Sequence, residues 1–224
     1  MKMRRLLAAT VLLLSTPLPA QELPEGQSEA DYEAWLDAAP GRRGQVLSFE
    51  AWQAAAGVAH AVPTYQVLRT ASMWRECNGQ PFEVAPPNLW PGMANTIRYI
   101  RDHVERSVGT VEVVSGYRDP ALNACAHGAP GSAHQGYFAL DMIPVQPLDR
   151  HDLMRRLCAM HARSGRAARV GLGFYAFQRF HIDTNGFRRW GSSGPNHNES
   201  PCAVIERGED PEPPGTEAVP RAAR

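Results

Sequence analysis

The chain has 224 residues, the span of one domain or of one domain with appendages. Its 23 basic and 23 acidic residues balance, which argues against a nucleic-acid binder that relies on net positive charge. With 43% hydrophobic and 21% charged residues, the bulk of the chain is a folded globule and not an extended polar one.

The first twenty residues read as a secretion signal. Lys2, Arg4 and Arg5 form a basic start, and Leu6 to Leu14 an apolar stretch too short to span a bilayer of roughly 30 Å. Pro17 to Ala20 resemble a cleavage region, so residues 1–20 are expected to be removed, leaving a mildly acidic protein in the periplasm or cell envelope without a membrane span. The four cysteines, Cys77, Cys125, Cys158 and Cys202, contain no CxxC pair. In an oxidising compartment they point to two disulfides, with three pairings open.

Residues 21–87 read as a helical N-terminal extension. Ser28 and Asp31 form a capping-box pattern ahead of Tyr32, Trp35 and Leu36. After a break at 40–44, Ser48 is expected to cap a second helix carrying Phe49, Trp52 and Val58, and Pro63 to Trp74 to form a third. From Leu89 to Val108, Met93, Ile97, Ile100 and Val104 recur at steps of three and four, predicting the longest helix, closed by Gly109. Val111–Val114 reads as a strand, Asp119-Pro120 as a helix start, and Ala139–Val145 as a buried strand. Leu153–His161 reads as a helix, then Gly171–Ala176 and Phe180–Asp183 as strands; residues 203–224 are expected to be a disordered tail. The pattern is α+β, a small and mainly antiparallel sheet packed with helices, with the principal domain at residues 88–202.

Two strands carry the chemistry. Strand alternation places Asp141 on one side with Ala139 and Ile143, and His181 with Asp183 between the apolar Phe180 and Ile182. A carboxylate in so apolar a strand needs a compensating charge. His134, seven residues before Asp141 and across a turn containing Gly136, can fold back to join Asp141 and His181. Two imidazoles and one carboxylate, with a fourth position open, make a catalytic zinc pattern.

Residues 115–190 resemble the zinc D-Ala-D-Ala peptidases, the superfamily of VanX-type dipeptidases, murein endopeptidases and the hedgehog signalling domain. The resemblance rests on Ser115-Gly116-Tyr117-Arg118 with Asn123, on Ser132-Ala133-His134 with Asp141, and on Gly171-Leu172-Gly173-Phe174-Tyr175 followed by Phe180-His181-Ile182-Asp183 and Arg189-Trp190. The nearest branch is that of the YcbK-like murein peptidases. The resemblance implies a hedgehog/DD-peptidase-like fold, zinc held by His134, Asp141 and His181, and hydrolysis of peptidoglycan stem peptides or cross-links, endopeptidase ahead of carboxypeptidase. It places Arg118 near the substrate carbonyl, Ser132 against substrate or within the ligand turn, and Trp190 along the cleft or else in the core or a lid.

Two positions depart from that pattern. Tyr137 stands where many relatives have glycine, and Gln178 where several have the carboxylate that accepts a proton. Asp183 is the expected substitute, or else a carboxylate supporting the ligands; His127 and His197 are outsiders. The alternative to an enzyme is a zinc-containing module that binds peptidoglycan or protein without cleaving it. A thiol or serine hydrolase built on Cys125 or Ser115 lacks a base and its orienting partner in the sequence.

Overall fold

The structure, a computed structural model, describes residues 25–146, 148–191 and 199–211. The expected signal segment, His197 and the last thirteen residues lie outside them. The fold is α+β, and a five-stranded sheet organises it. Its strands are β1 (Val111–Ser115), β2 (Ala139–Pro144), β3 (Gly171–Phe174), β4 (Phe180–Asp183) and β5 (Arg188–Gly191), in the order β1-β2-β4-β3-β5. All pairs are antiparallel except β3 with β5. β2 is buried along its whole length, as its near-continuous apolar sequence requires.

The helices follow the capping chemistry closely. α1 (Glu29–Asp37) opens with the reciprocal Ser28–Asp31 box. α2 (Arg42–Ala55) begins at Gly41, earlier than expected; Ser48 lies inside it and donates its hydroxyl to the Gly44 carbonyl. The third predicted helix shrinks to α3 (Thr64–Val67), because the chain then extends to pair Arg69 with Phe82. The long helix is realised as α4 (Trp90–Tyr99), a π-helical segment (Ile100–Val104) and α5 (Glu105–Val108). Ile100, Val104 and Val108 follow one another at steps of four, which would drift around an α-helix; the wider turn brings all three to the core.

α6 (Pro120–Cys125) starts at Asp119, which accepts from the Ala121 and Leu122 amides. α7 (Arg150–Ser164) is longer than its apolar centre suggests, since Asp149 caps it upstream. α8 (Pro201–Glu206) runs on from the principal domain into residues 203–206, expected to be disordered. Ser200 caps it and buried Cys202 and Val204 anchor it. The cysteines pair Cys77 with Cys125 and Cys158 with Cys202. No helix among the described residues is long and apolar enough to cross a membrane.

The N-terminal helices share the core of the sheet. Phe49 packs edge-on against Trp90 at 5.2 Å and near Tyr137 at 6.1 Å. Residues after α3 also cover the open edge of β1. Gln66 accepts from the Val113 amide and donates to Glu112, and buried Arg69 donates to Glu112 at 2.6 Å and to the Gln27 carbonyl at 2.8 Å. The edge is thereby closed to strand pairing with another chain. Replacing Arg69 with methionine strands Glu112 in a partly buried site, and we expect a loss of about 3 kcal/mol in urea unfolding.

Candidate metal centre

The strand register draws one row of residues across the whole sheet. Ser115 on β1 stands opposite Asp141 on β2, Asp141 opposite His181 on β4, His181 opposite Gly173 on β3, and Gly173 opposite Trp190 on β5. Opposed residues share a sheet face. Residues far apart in sequence therefore converge, and Asp141 meets His181 by direct cross-strand pairing. The neighbouring row holds Ala139, Asp183, Gly171 and Arg188.

The glycines of β3 make room for this. A Cβ on Gly173 would sit 2.1 Å from the Trp190 indole, and one on Gly171 2.2 Å from Asp183 Oδ2. Trp190 thus lies flat over β3, its ring 5.3 Å from that of His181 and 5.1 Å from that of Tyr175. It is half-buried and stands beside the His181 ring.

His134 arrives from the loop between α6 and β2. Its carbonyl accepts from the Arg118 amide and its Nδ1 lies 2.7 Å from the Gly116 carbonyl. Gly116 is itself wedged against backbone, where a Cβ would come within 2.7 Å of the Val67 oxygen. The Ser132 hydroxyl accepts from the His134 amide at 3.3 Å, so it shapes the ligand turn. Tyr137, in the place of the glycine, takes a left-handed backbone at φ 56° while its ring is fully buried. The turn keeps the glycine-like conformation, and packing holds a tyrosine in it.

The donor atoms face one another. Asp141 Oδ1 lies 3.2 Å from His134 Nε2 and 2.9 Å from His181 Nδ1, and the three ligand atoms all fall within 4.8 Å. The far side of each ring fixes its tautomer. A carbonyl can only accept, so His134 carries its proton on Nδ1, facing Gly116. Asp183 Oδ2, 2.9 Å from His181 Nε2, claims the proton of that ring in the same way. Two imine lone pairs and a carboxylate oxygen then point at one centre. Three acceptors cannot satisfy each other; a proton on one ring, or a metal cation between them, relieves the conflict. The two-nitrogen, one-oxygen set with all three residues buried fits a divalent transition metal.

The electrostatics agree. Burial pushes His134 down to about 4, against the pull of Asp141. Burial acts on His181 in the same direction, yet its hydrogen bonds to Asp141 and Asp183 outweigh it and raise the ring above its ordinary value. Of the two imidazoles on Asp141, His181 is therefore the one that protonates first as the pH falls. Burial would raise Asp141, but His134 and Arg179 hold it well below the usual carboxylate range.

The outer oxygen of Asp141 accepts from two guanidiniums, Arg118 Nη2 at 2.8 Å and Arg179 Nη2 at 2.7 Å. Arg118 is further fixed by Ser115, whose hydroxyl receives its Nε and Nη2. Asp183, expected as the proton acceptor or else as a carboxylate supporting the ligands, is engaged on both oxygens. Besides His181, it accepts two bonds from Arg188 at 2.7 and 3.0 Å and one from the Asn185 amide, all in a fully buried position. It stands behind the His181 ring, on the nitrogen that faces away from Asp141. Gln178 is tied at both ends of its amide to the Leu148 backbone. His127 is exposed at the turn after α6, and Cys125 is locked in its disulfide.

Arg179, Ser72 and Arg188 adjoin the donor cluster or its partners and escaped the reading of the sequence, which has Tyr175 in a motif but gives it no role. Arg179 had a signal, since it precedes His181 by two and strand alternation puts both on one face. Ser72 had none. No protein-family model, curated protein or solved structure matches the chain.

Proposed function

We propose that the chain is an exported zinc metallopeptidase that hydrolyses peptide bonds in peptidoglycan stem peptides or cross-links, an endopeptidase ahead of a carboxypeptidase. The observation that carries this reading is the convergence of His134 Nε2, Asp141 Oδ1 and His181 Nδ1, each oriented by a partner on its far side. His134, Asp141 and His181 hold the zinc. Bound there, zinc supplies Lewis acidity towards a carbonyl and a lowered pKa for water.

The remaining roles fall to the protein. Arg118, nine-tenths buried and clamped by Ser115, presents a fixed positive charge to an oxyanion. Asp183 is a positioning residue that keeps the His181 lone pair aimed inward and is itself held by Arg188. Trp190 and Tyr175 wall the side beyond His181. Two disulfides suit a protein of the cell envelope, where this substrate lies.

Mass spectrometry of purified peptidoglycan digested with the protein, with and without a chelator, tests the reading. Chelator-sensitive loss of cross-linked dimers supports an endopeptidase, and release of single terminal residues a carboxypeptidase. Unchanged material from protein loaded with zinc would sink both. One observation favours a second reading, a zinc-containing binding module: neither Gln178 nor Asp183 offers a free carboxylate to the donor cluster. Zinc binding and peptidoglycan retention without cleavage would select it.

The positioning role of Asp183 predicts a graded effect. Asp183→Asn should still fold but bind zinc about 10- to 100-fold more weakly, as read by competition with a chromophoric chelator. Unchanged affinity would show that Asp183 does not orient the ring.

A further inference from the structure

Arg179 does more than the ligand set requires. One guanidinium, Arg118 braced by Ser115, already satisfies the outer oxygen of Asp141. Arg179 brings a second to the same atom, lies 5.1 Å from the Tyr175 ring centroid, and donates Nη1 to the Ser72 hydroxyl at 2.9 Å across 107 residues of sequence. Its Nε is buried with no acceptor, while part of the side chain, 22%, stays open to solvent.

Charge gives this arrangement a consequence. Asp183 is matched by its own arginine, Arg188. One carboxylate, Asp141, cannot neutralise both Arg118 and Arg179, so the site holds surplus positive charge, which a divalent ion increases. In a partly dehydrated setting such a surplus selects an anion; a planar guanidinium suits a carboxylate or a phosphate, and of these a peptide carries the carboxylate.

We propose that Arg179 is a specificity-determining residue that binds a carboxylate carried by the peptide substrate next to the bond addressed, and that Ser72 of the N-terminal segment holds it in place. The identity of the ligand as a peptide rests on the peptidase reading; the carboxylate preference itself rests on the arginine geometry. The N-terminal segment thereby contributes to the site and not only to the core.

Calorimetric titration with the ketomethylene isostere of acetyl-D-alanyl-D-alanine, as free acid and as C-terminal amide, tests this without turnover. It is run on the zinc-loaded and the metal-free protein. The wild-type protein should prefer the acid by about tenfold or more. Arg179→Met should abolish the preference, Arg179→Lys keep part of it, and Ser72→Ala weaken acid binding while leaving the amide unchanged. Melting curves and zinc stoichiometry of each variant establish that it is folded and loaded. An undiminished acid preference in Arg179→Met overturns the proposal, as does a wild-type protein that binds both forms alike. Should Arg179→Met not fold, an unchanged acid-to-amide ratio in Ser72→Ala overturns it. A clear acid preference beside intact peptidoglycan would sink the peptidase reading and leave the carboxylate site standing.

Discussion

Replacing His134 with alanine should abolish both zinc binding and any peptidoglycan cleavage. The loss of affinity should exceed the roughly hundredfold cost of removing a ligand's hydrogen-bond partner, because an inward-facing donor is gone. Chelator competition reads the affinity and muropeptide profiles the cleavage; full activity in the variant would end the metallopeptidase reading. The same residue makes the metal-free protein sensitive to acid. Its pKa falls to about 4 in the folded state from 6.5, so the unfolded chain binds the proton more readily between those values. The stability contributed by neutral His134 is complete above pH 6.5 and lost as the pH falls through about 4, a change of about 3 kcal/mol. His181 acts in the opposite sense. Its raised pKa lends stability that is complete below pH 6.5 and lost as the pH rises through the folded value. Bound zinc requires both rings deprotonated on their inward nitrogens, so its stabilisation must fade on acidification. Melting temperatures from pH 4 to 8 should therefore fall towards acid, more steeply with zinc than without it. A zinc-loaded protein whose melting is flat across that range would contradict the ligand assignment.

What the sequence disclosed follows from how local each signal is. The strand Phe180–Asp183 could be bounded to the residue because His and Asp alternate with Phe and Ile, and α6 could be placed because Asp119 and Pro120 form a cap in themselves. β5 could not, since Arg188-Arg189-Trp190-Gly191 is half-buried and charged, with no apolar face to announce it. The helix expected after Pro63 failed at Arg69, whose burial beside Glu112 is a contact across 43 residues. The three metal-ligating candidates were legible as a set, yet the role of Asp183 was not. Alternation puts it on the face of His181, but only the register and the rotation of the ring decide which nitrogen meets which carboxylate. The pairing of the cysteines and the reach of Ser72 to Arg179 likewise depend on how distant segments pack.

The disulfides supply the other large effect. Each closes a loop of about the same length, with separations of 48 and 44 residues, and each should stabilise the fold by about 4 kcal/mol through the restricted unfolded chain. Reducing both removes a sum comparable to the whole stability of an ordinary domain, so the reduced protein should unfold at or near ambient temperature. Equal loops do not make equal consequences for the site. Cys158–Cys202 joins α7 to α8, and α8 touches the sheet through Glu206 and Arg189, at the strand farthest from Asp141. Cys77–Cys125 anchors the end of α6, whose first residues follow Arg118 directly through the Asp119 cap. Replacing Cys158 and Cys202 together by serine should lower stability and leave zinc affinity close to that of the wild type in the folded protein. The corresponding Cys77 and Cys125 pair of replacements should lower both, because α6 then no longer fixes the turn that aims Arg118 at Asp141. Urea unfolding and chelator competition on the two variants separate these outcomes, and equal zinc affinities would show that Arg118 is held by Ser115 and Asp141 alone.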